Sequence, residues 1–290
     1  MDAFWIILTG ALVALCCGLL GSFLLLRQMA MVGDAISHAV LPGIVIAFLL
    51  SGSRDSIPML AGAAVLGVFA TVLIEWLHRV GRMQSDASIG LSYTTLFAIG
   101  IILISLFTRQ VDLDQDCVLY GEIAYVPLDL WILAGGQSLG PRAVWILGGA
   151  FVLILTFVLV GYKGLQLTTF DPAYAATLGI STFFWHYALM GTVSMATVVS
   201  FELGRAIPVV AFLIVPPATA CLHGKDRLPV MLGLSALFGL LSSILGYGMA
   251  AATNGSVAGA MSVAAGIWFV LALAFVQVKK SILRSQSVSR

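Results

Sequence analysis

The chain is built of apolar runs long enough to cross a lipid bilayer, and this limits its fold more than any motif does. A spanning helix needs about 20 mostly apolar residues. Runs of that kind fall at 4–26, 34–51, 57–78, 87–107, 143–162, 181–201, 206–222, 228–250 and 256–277. Hydrocarbon offers the backbone no hydrogen-bond partner, so such runs fold as helices rather than as open sheet. The expected architecture is an all-α polytopic membrane protein of about nine transmembrane helices, or eight if one short segment is re-entrant. Only 9% of the 290 residues are charged, against about 25% in a soluble domain. The spans leave no room for a separate soluble domain, so residues 1–290 read as a single transmembrane domain. A net charge of +1 speaks against a nucleic-acid partner and leaves the lipid bilayer as the surroundings.

Lysine and arginine placement orients the spans. Arg27, Arg79, Arg82, Lys163, Lys225, Arg227, Lys279, Lys280, Arg284 and Arg290 fall on one side; Arg54, Arg109, Arg142 and Arg205 fall on the other. The more basic side is expected to be cytoplasmic, with the N-terminus outside and the C-terminus inside. The start, Met-Asp-Ala-Phe-Trp, lacks the basic region of a cleaved secretory signal. Residues 108–142 then form an extracytoplasmic loop. Its Asp112, Asp114, Asp116 and Glu122 could attract cations or could simply be solvated. Its apolar piece, Leu128–Ala134, is too short to span and is expected to be an interfacial or re-entrant helix. Cys16, Cys17 and Cys221 read as small packing residues. Cys117 stands alone in the loop, and no disulfide or zinc spacing is present.

Within these runs, Asp34 and His38 are four residues apart, on one face of a helix. An ionisable group at membrane depth costs about 3 kcal/mol and so usually faces a pathway or a partner. From His38 to Leu50 is twelve residues, roughly 18 Å of helix, which puts the pair well inside the membrane. One carboxylate and one imidazole suit manganese, iron(II) or zinc better than calcium or magnesium. Two ligands are too few for a tight site, and a two-fold partner offering the same pair would complete an N2O2 set. The alternative is that Asp34 caps the second helix while His38 bonds a backbone carbonyl. The second and seventh runs are the two short ones, and the seventh is interrupted by Pro208 and Pro216-Pro217. Short or proline-broken spans often line transport pathways.

Phe170-Asp171-Pro172-Ala173-Tyr174-Ala175-Ala176-Thr177-Leu178-Gly179-Ile180 reads as a short bounded helix. Asp171 suits the N-cap, Pro172 the first turn and Gly179 the left-handed stop. Tyr174 and Leu178 share a face, which fits a protein-docking surface or an ordinary interfacial helix. Glu202 lies at the outer end of the sixth run, where it could line an outer mouth or pair with Arg205. Glu75 and His78, beside Trp76, are expected to snorkel to the inner interface. His186 reads as a packed histidine, and His223 belongs to the turn His223-Gly224-Lys225-Asp226-Arg227. The phosphate-loop pattern G-x-x-x-x-G-K-[ST] and the hydrolase patterns H-E-x-x-H and G-x-S-x-G do not occur.

In order along the chain stand Gly33-Asp34-Ala35-Ile36-Ser37-His38-Ala39-Val40-Leu41-Pro42-Gly43, Asp86-Ala87-Ser88-Ile89-Gly90, Asp114-Gln115-Asp116-Cys117-Val118-Leu119-Tyr120-Gly121-Glu122, Phe170-Asp171-Pro172 with Leu178-Gly179, and Val199-Ser200-Phe201-Glu202 with Leu213-Ile214-Val215-Pro216-Pro217-Ala218-Thr219-Ala220. With these motifs the sequence resembles the permease subunits of bacterial ATP-driven importers for manganese, zinc and iron. The loop and the Phe201-Glu202 stretch are closer to manganese-type members. The resemblance implies an architecture similar to the vitamin B12 importer permease, with this chain starting at that protein's second span. It implies a dimer of identical or related permease chains in the bacterial cytoplasmic membrane. It also implies separate cytoplasmic ATPase subunits and an extracytoplasmic metal-binding protein. Asp34 and His38 match the family's metal site in the pathway. Phe170, Asp171, Pro172, Tyr174, Ala175, Leu178 and Gly179 match its ATPase-coupling helix. Glu202, Asp112, Asp114, Asp116 and Glu122 become candidates for an outer gate. No catalysis and no permanently bound cofactor are expected, the metal ion (Mn2+, with Zn2+ and Fe2+ as alternatives) being cargo. A proton-coupled secondary metal transporter would use Asp34 and His38 as a relay, but would have no use for an ATPase dock. An intramembrane enzyme would need a nucleophile that these motifs do not supply.

Overall fold

The computed structural model describes residues 2–52, 56–107, 123–128, 130–132, 138–204, 206–224 and 227–288. The helices are α1 (Asp2–Leu26), α2 (Val32–Ala39), α3 (Leu41–Ser51), α4 (Ser56–Arg79), α5 (Ser85–Phe107), α6 (Arg142–Val160), α7 (Tyr162–Phe170), α8 (Pro172–Thr177), α9 (Thr182–Gly204), α10 (Ala206–Gly224), α11 (Leu228–Thr253) and α12 (Val257–Val288). Between α5 and α6 lie a 3-10 turn at Ile123–Leu128 and two short antiparallel strands, β1 (Leu130–Ile132) and β2 (Ser138–Pro141). Among the described residues, seven segments are long and apolar enough to cross a membrane, α2 and α3 together counting as one; Pro208–His223 is a shorter apolar helix. The chain is a multi-pass membrane protein.

The expected helix at Leu128–Ala134 is corrected: Leu130, Trp131 and Ile132 form a strand, with Leu130 opposite Pro141 and Ile132 opposite Ser138. Large apolar side chains suit a pleated pairing, and the partner strand Ser138–Pro141 supplies it. The strands lie at the end of the bundle where α1 begins, with Gly140 against the Trp5 ring. The opposite end carries α8, and Arg27 and Arg79 lie there.

α1 is the axis of the bundle. Val13, Ala14, Cys17, Leu20, Phe23 and Leu24 on it are fully buried. It packs against α6, α9, α10 and α11. α10, α11 and α12 pack on one another on one side of it, and α3, α4 and α5 form a second group. α9 bridges the two groups through contacts with α1, α2 and α4.

The seventh run does not break at its prolines: α10 continues through Pro216 and Pro217. Pro217 has no N–H to give the carbonyl of Leu213. α1 closes on that carbonyl at Gly21, where a β-carbon would collide with the Leu213 oxygen. The close approach sets a Cα–H donor against the freed carbonyl and holds the helix together from outside. Gly21→Ala is therefore expected to destabilise the protein by about 1–3 kcal/mol of overpacking, read as a lower melting temperature of the detergent-purified protein. Gly148→Ala, where a β-carbon meets nothing within 4 Å, is expected to leave the melting temperature unchanged.

Candidate metal site

α2 starts after Met31, which makes no side-chain cap. Asp34 sits inside the first turn rather than before it, so it does not cap the helix. Its Oδ1 lies 3.5 Å from Nε2 of His38, one turn on. The two side chains are 33% and 35% exposed respectively, open enough to admit an ion. Ser37 Oγ donates to the Asp34 carbonyl at 2.5 Å, which leaves the Asp34 carboxylate to His38. The imidazole rests against Tyr93 at 5.8 Å and edge-on to Phe97 at 5.6 Å.

The neighbours of this pair set its depth. Tyr93 and Phe97 occupy the middle of the 23-residue α5. Gly33 faces Leu213 in the middle of α10 and Thr197 on α9. Ile36, between the two polar residues, reaches Gly67 in the interior of α4. α2 therefore crosses the bundle near mid-depth.

The helix breaks directly after the pair. α2 ends at Ala39, α3 starts at Leu41, and Val40 caps both. Pro42 has no N–H for the His38 carbonyl four residues before it. Gly43 and Ile44 both donate to the Val40 carbonyl instead, at 2.9 and 3.1 Å. A carboxylate, an imidazole and a carbonyl without its helical donor thus share one turn. Borderline ligands of this kind suit manganese, iron(II) or zinc. Among the described residues, no three His, Cys, Asp or Glu side chains come together as a metal cluster.

The side chains of the predicted outer-gate residues all fall outside the described part. Asp112, Asp114, Asp116 and Glu122 lie outside the described residues, as does Cys117. Glu202 is on α9, with its side chain outside the described part.

A second carboxylate–imidazole pair was not legible in the sequence. Glu75, expected to snorkel, is only 6% exposed. Its Oε2 lies 3.2 Å from Nε2 of His186 on α9, and its Oε1 accepts from Arg79 Nε. The other ring nitrogen of His186 is 3.4 Å from Arg27 Nη1. Arg27 also donates to Thr169 Oγ1 at 3.1 Å and Thr168 Oγ1 at 2.9 Å. Burial pulls the Arg27 pKa down, yet a guanidinium stays charged. His186 is thus a hydrogen-bond partner of the Glu75 carboxylate rather than a merely packed residue. The i,i+4 spacing of Glu75 and Arg79 was the one local signal; the His186 partner lies on a distant helix. Two guanidinium groups beside the pair repel a metal cation, which separates it from Asp34–His38. His78 behaves as expected, exposed with Nδ1 2.9 Å from the Met83 carbonyl. His223 stacks on Phe275 at 5.9 Å.

α8 forms as its caps dictate. Asp171 accepts from the Tyr174 N–H at 2.9 Å and Pro172 opens the helix. Gly179, at φ +76°, ends it. Ile180 donates to the Ala175 carbonyl and Gly179 to that of Ala176, the paired bonds of a left-handed stop. Phe170, Tyr174 and Leu178 are each more than half exposed, while Ala175 is buried.

A family model described as the ABC 3 transport family matches residues 3–276. The manganese transport system membrane protein MntD of Bacillus subtilis is 48% identical over 271 residues, covering 93% of this chain and 91% of that protein. The zinc transport system membrane protein TroD of Treponema pallidum is 37% identical over 275 residues, covering 93% and 73%. The structure of PsaBC from Streptococcus pneumoniae in complex with Fab is similar with a TM-score of 0.75 at 30% identity, over 92% of this chain and 89% of that one.

Asp34→Asn and His38→Gln are each expected to weaken Mn2+ binding to the purified protein at least about tenfold, the effect of losing one of few ligands, without lowering its melting temperature. Isothermal titration and a melting curve on the same sample check both points.

Proposed function

The chain belongs to the ABC 3 transport family, and from that membership we propose that it is the transmembrane permease of an ATP-driven importer that carries a divalent transition metal, manganese ahead of zinc or iron, from an extracytoplasmic binding protein into the cytoplasm. The observation that carries this reading is the Asp34–His38 pair, a borderline-metal donor set on a broken helix in an apolar bundle. The preference for manganese rests on the 48% relative being a manganese system protein and the 37% one a zinc system protein.

One chain supplies half a site. A second permease chain, identical or related, offering the same pair across a two-fold axis completes four side-chain ligands. The end that carries α8 is cytoplasmic, consistent with its arginines; the N-terminus is outside and the C-terminus inside. The whole chain, 1–290, acts as one permease domain of the bacterial cytoplasmic membrane. Glu202 and the acidic residues of loop 108–142 are assigned to the outer mouth from the family resemblance, where negative charge would raise the local cation concentration. ATP hydrolysis takes place on separate cytoplasmic subunits, which dock on Phe170, Tyr174 and Leu178.

The mechanism follows from ligand geometry. With both pairs in register, the ion exchanges water for carboxylate and imidazole. When the ATPases close or open, the helices that carry the pairs shift, the four donors lose register and the ion leaves inward. Uptake of Mn2+ by proteoliposomes holding the permease dimer and its ATPase, in the presence of ATP, is the expected result. Uptake driven by a pH gradient through this chain alone defeats the proposal in favour of a proton-coupled carrier. Tyr174→Asp with Leu178→Asp is expected to abolish recovery of the ATPase in a pull-down; recovery at the wild-type level removes α8 as the dock.

A further inference from the structure

We propose that Glu75, His186 and Arg27 form a latch at the α8 end of the contact between α4 and α9, which ties movement of α8 to the position of Asp34 and His38. The proposal rests on the importer reading and adds to it the residues that carry motion from the dock to the metal pair.

α4 and α9 meet along one antiparallel seam. Near mid-depth Gly67 of α4 lies against Ser194 of α9, with Ile36 of α2 at the same point. Glu75 and His186 meet lower on the same seam. Eight residues separate Gly67 from Glu75, and eight separate His186 from Ser194. The two contacts are therefore about 12 Å apart along the helices, with the polar one directly towards α8. Ile36 lies between Asp34 and His38, so parting α4 from α9 removes the floor on which the metal pair stands.

The other end of the latch reaches the dock. Arg27 follows α1 and is aimed by a tight turn, with Gln28 at φ +59°. Its guanidinium touches His186 on α9 and both Thr168 and Thr169 on α7. α7 ends at Phe170 and α8 begins at Pro172, so only Asp171 separates the two. Trp185 of α9 lies over Gly164 of α7, which fixes α7 to the same helix end. A displacement of α8 is passed through α7 to Arg27, and from Arg27 to His186 and Glu75.

The chemistry favours a switch over a staple. Well-packed apolar residues would hold these helices at least as firmly as a buried polar contact. A hydrogen bond to a carboxylate is lost once donor and acceptor part by about 1 Å, and two discrete arrangements are what coupling between sites requires. A second metal stop is excluded by Arg27 and Arg79, whose charges surround the same carboxylate and imidazole.

The test uses the full complex in proteoliposomes, with imported Mn2+ and released phosphate measured in one sample. Glu75→Gln and Arg27→Gln are expected to lower the Mn2+ imported per phosphate released at least tenfold while phosphate release continues. Arg27→Lys, which keeps the charge, is expected to recover part of the ratio. If Glu75→Gln fails to accumulate in the membrane, Arg27→Gln, at the half-buried edge of the cluster, decides the matter. An unchanged ratio overturns the latch, as do import and hydrolysis falling in step, since that is the mark of a structural role. A wild-type complex that imports no metal overturns the importer reading and the latch with it; wild-type import with an unchanged ratio in the variants overturns the latch alone.

Discussion

Hydrocarbon supplies no hydrogen bonds, and the arrangement of this chain follows from that shortage. Each unpaired backbone group in lipid costs several kcal/mol, so the helices run long and the interior polar side chains turn back on their own backbone. Thr9 donates to the Trp5 carbonyl, Ser22 to Gly18, Ser92 to Ser88 and Ser242 to Phe238. Each of these hydroxyls gives its proton to a carbonyl of the preceding turn. A helix break can occur only where protein surrounds it. The break at Val40 meets that condition, because Pro42 packs against Gly100 of α5, where an added β-carbon would stand 3.0 Å from Pro42 Cδ.

Against this background the two carboxylate–imidazole pairs are the costly features, and their surroundings separate their roles. At about 4 Å and an effective dielectric near 20, one unit charge acts on another with about 4 kcal/mol. A divalent ion placed on Glu75 and His186 would meet that repulsion, doubled by its own charge, from each of Arg27 and Arg79. Asp34 and His38 have aromatic rings beside them instead. The same two functional groups therefore suit the proposed cation site in one setting and form a closed polar cluster in the other.

Sequence alone carries the parts of this fold that depend on local chemistry. The apolar runs locate the helices, and Asp171, Pro172 and Gly179 fix both ends of α8, since caps act within one turn. The i,i+4 spacing of Asp34 and His38 is likewise local and survives in the structure. What needed coordinates is tertiary. The helix is interrupted at Val40 beside Pro42 but continues through Pro216 and Pro217, where α1 closes on the Leu213 carbonyl at Gly21. The strand at Leu130–Ile132 exists through its pairing with Ser138–Pro141, which no window around Trp131 reveals. Glu75 and His186 are over a hundred positions apart, and nothing near either one signals the other.

The proposed division of the site between two chains also agrees with the kinetics of carrying cargo. At an on-rate near the diffusional ceiling of roughly 10^8 M−1 s−1 and a turnover of about 10 s−1, an ion held with a Kd much below about 10^-7 M leaves too slowly. Four ligands fixed on one rigid element would exceed that limit for a transition metal. Two ligands per chain, on a short helix that ends at a proline break, let affinity depend on how the helices stand. α2 has one turn on either side of Ile36, and Ile36 rests where α4 meets α9. A shift of α4 against α9 therefore reaches Ile36 first, and through it the proposed ligands on either side.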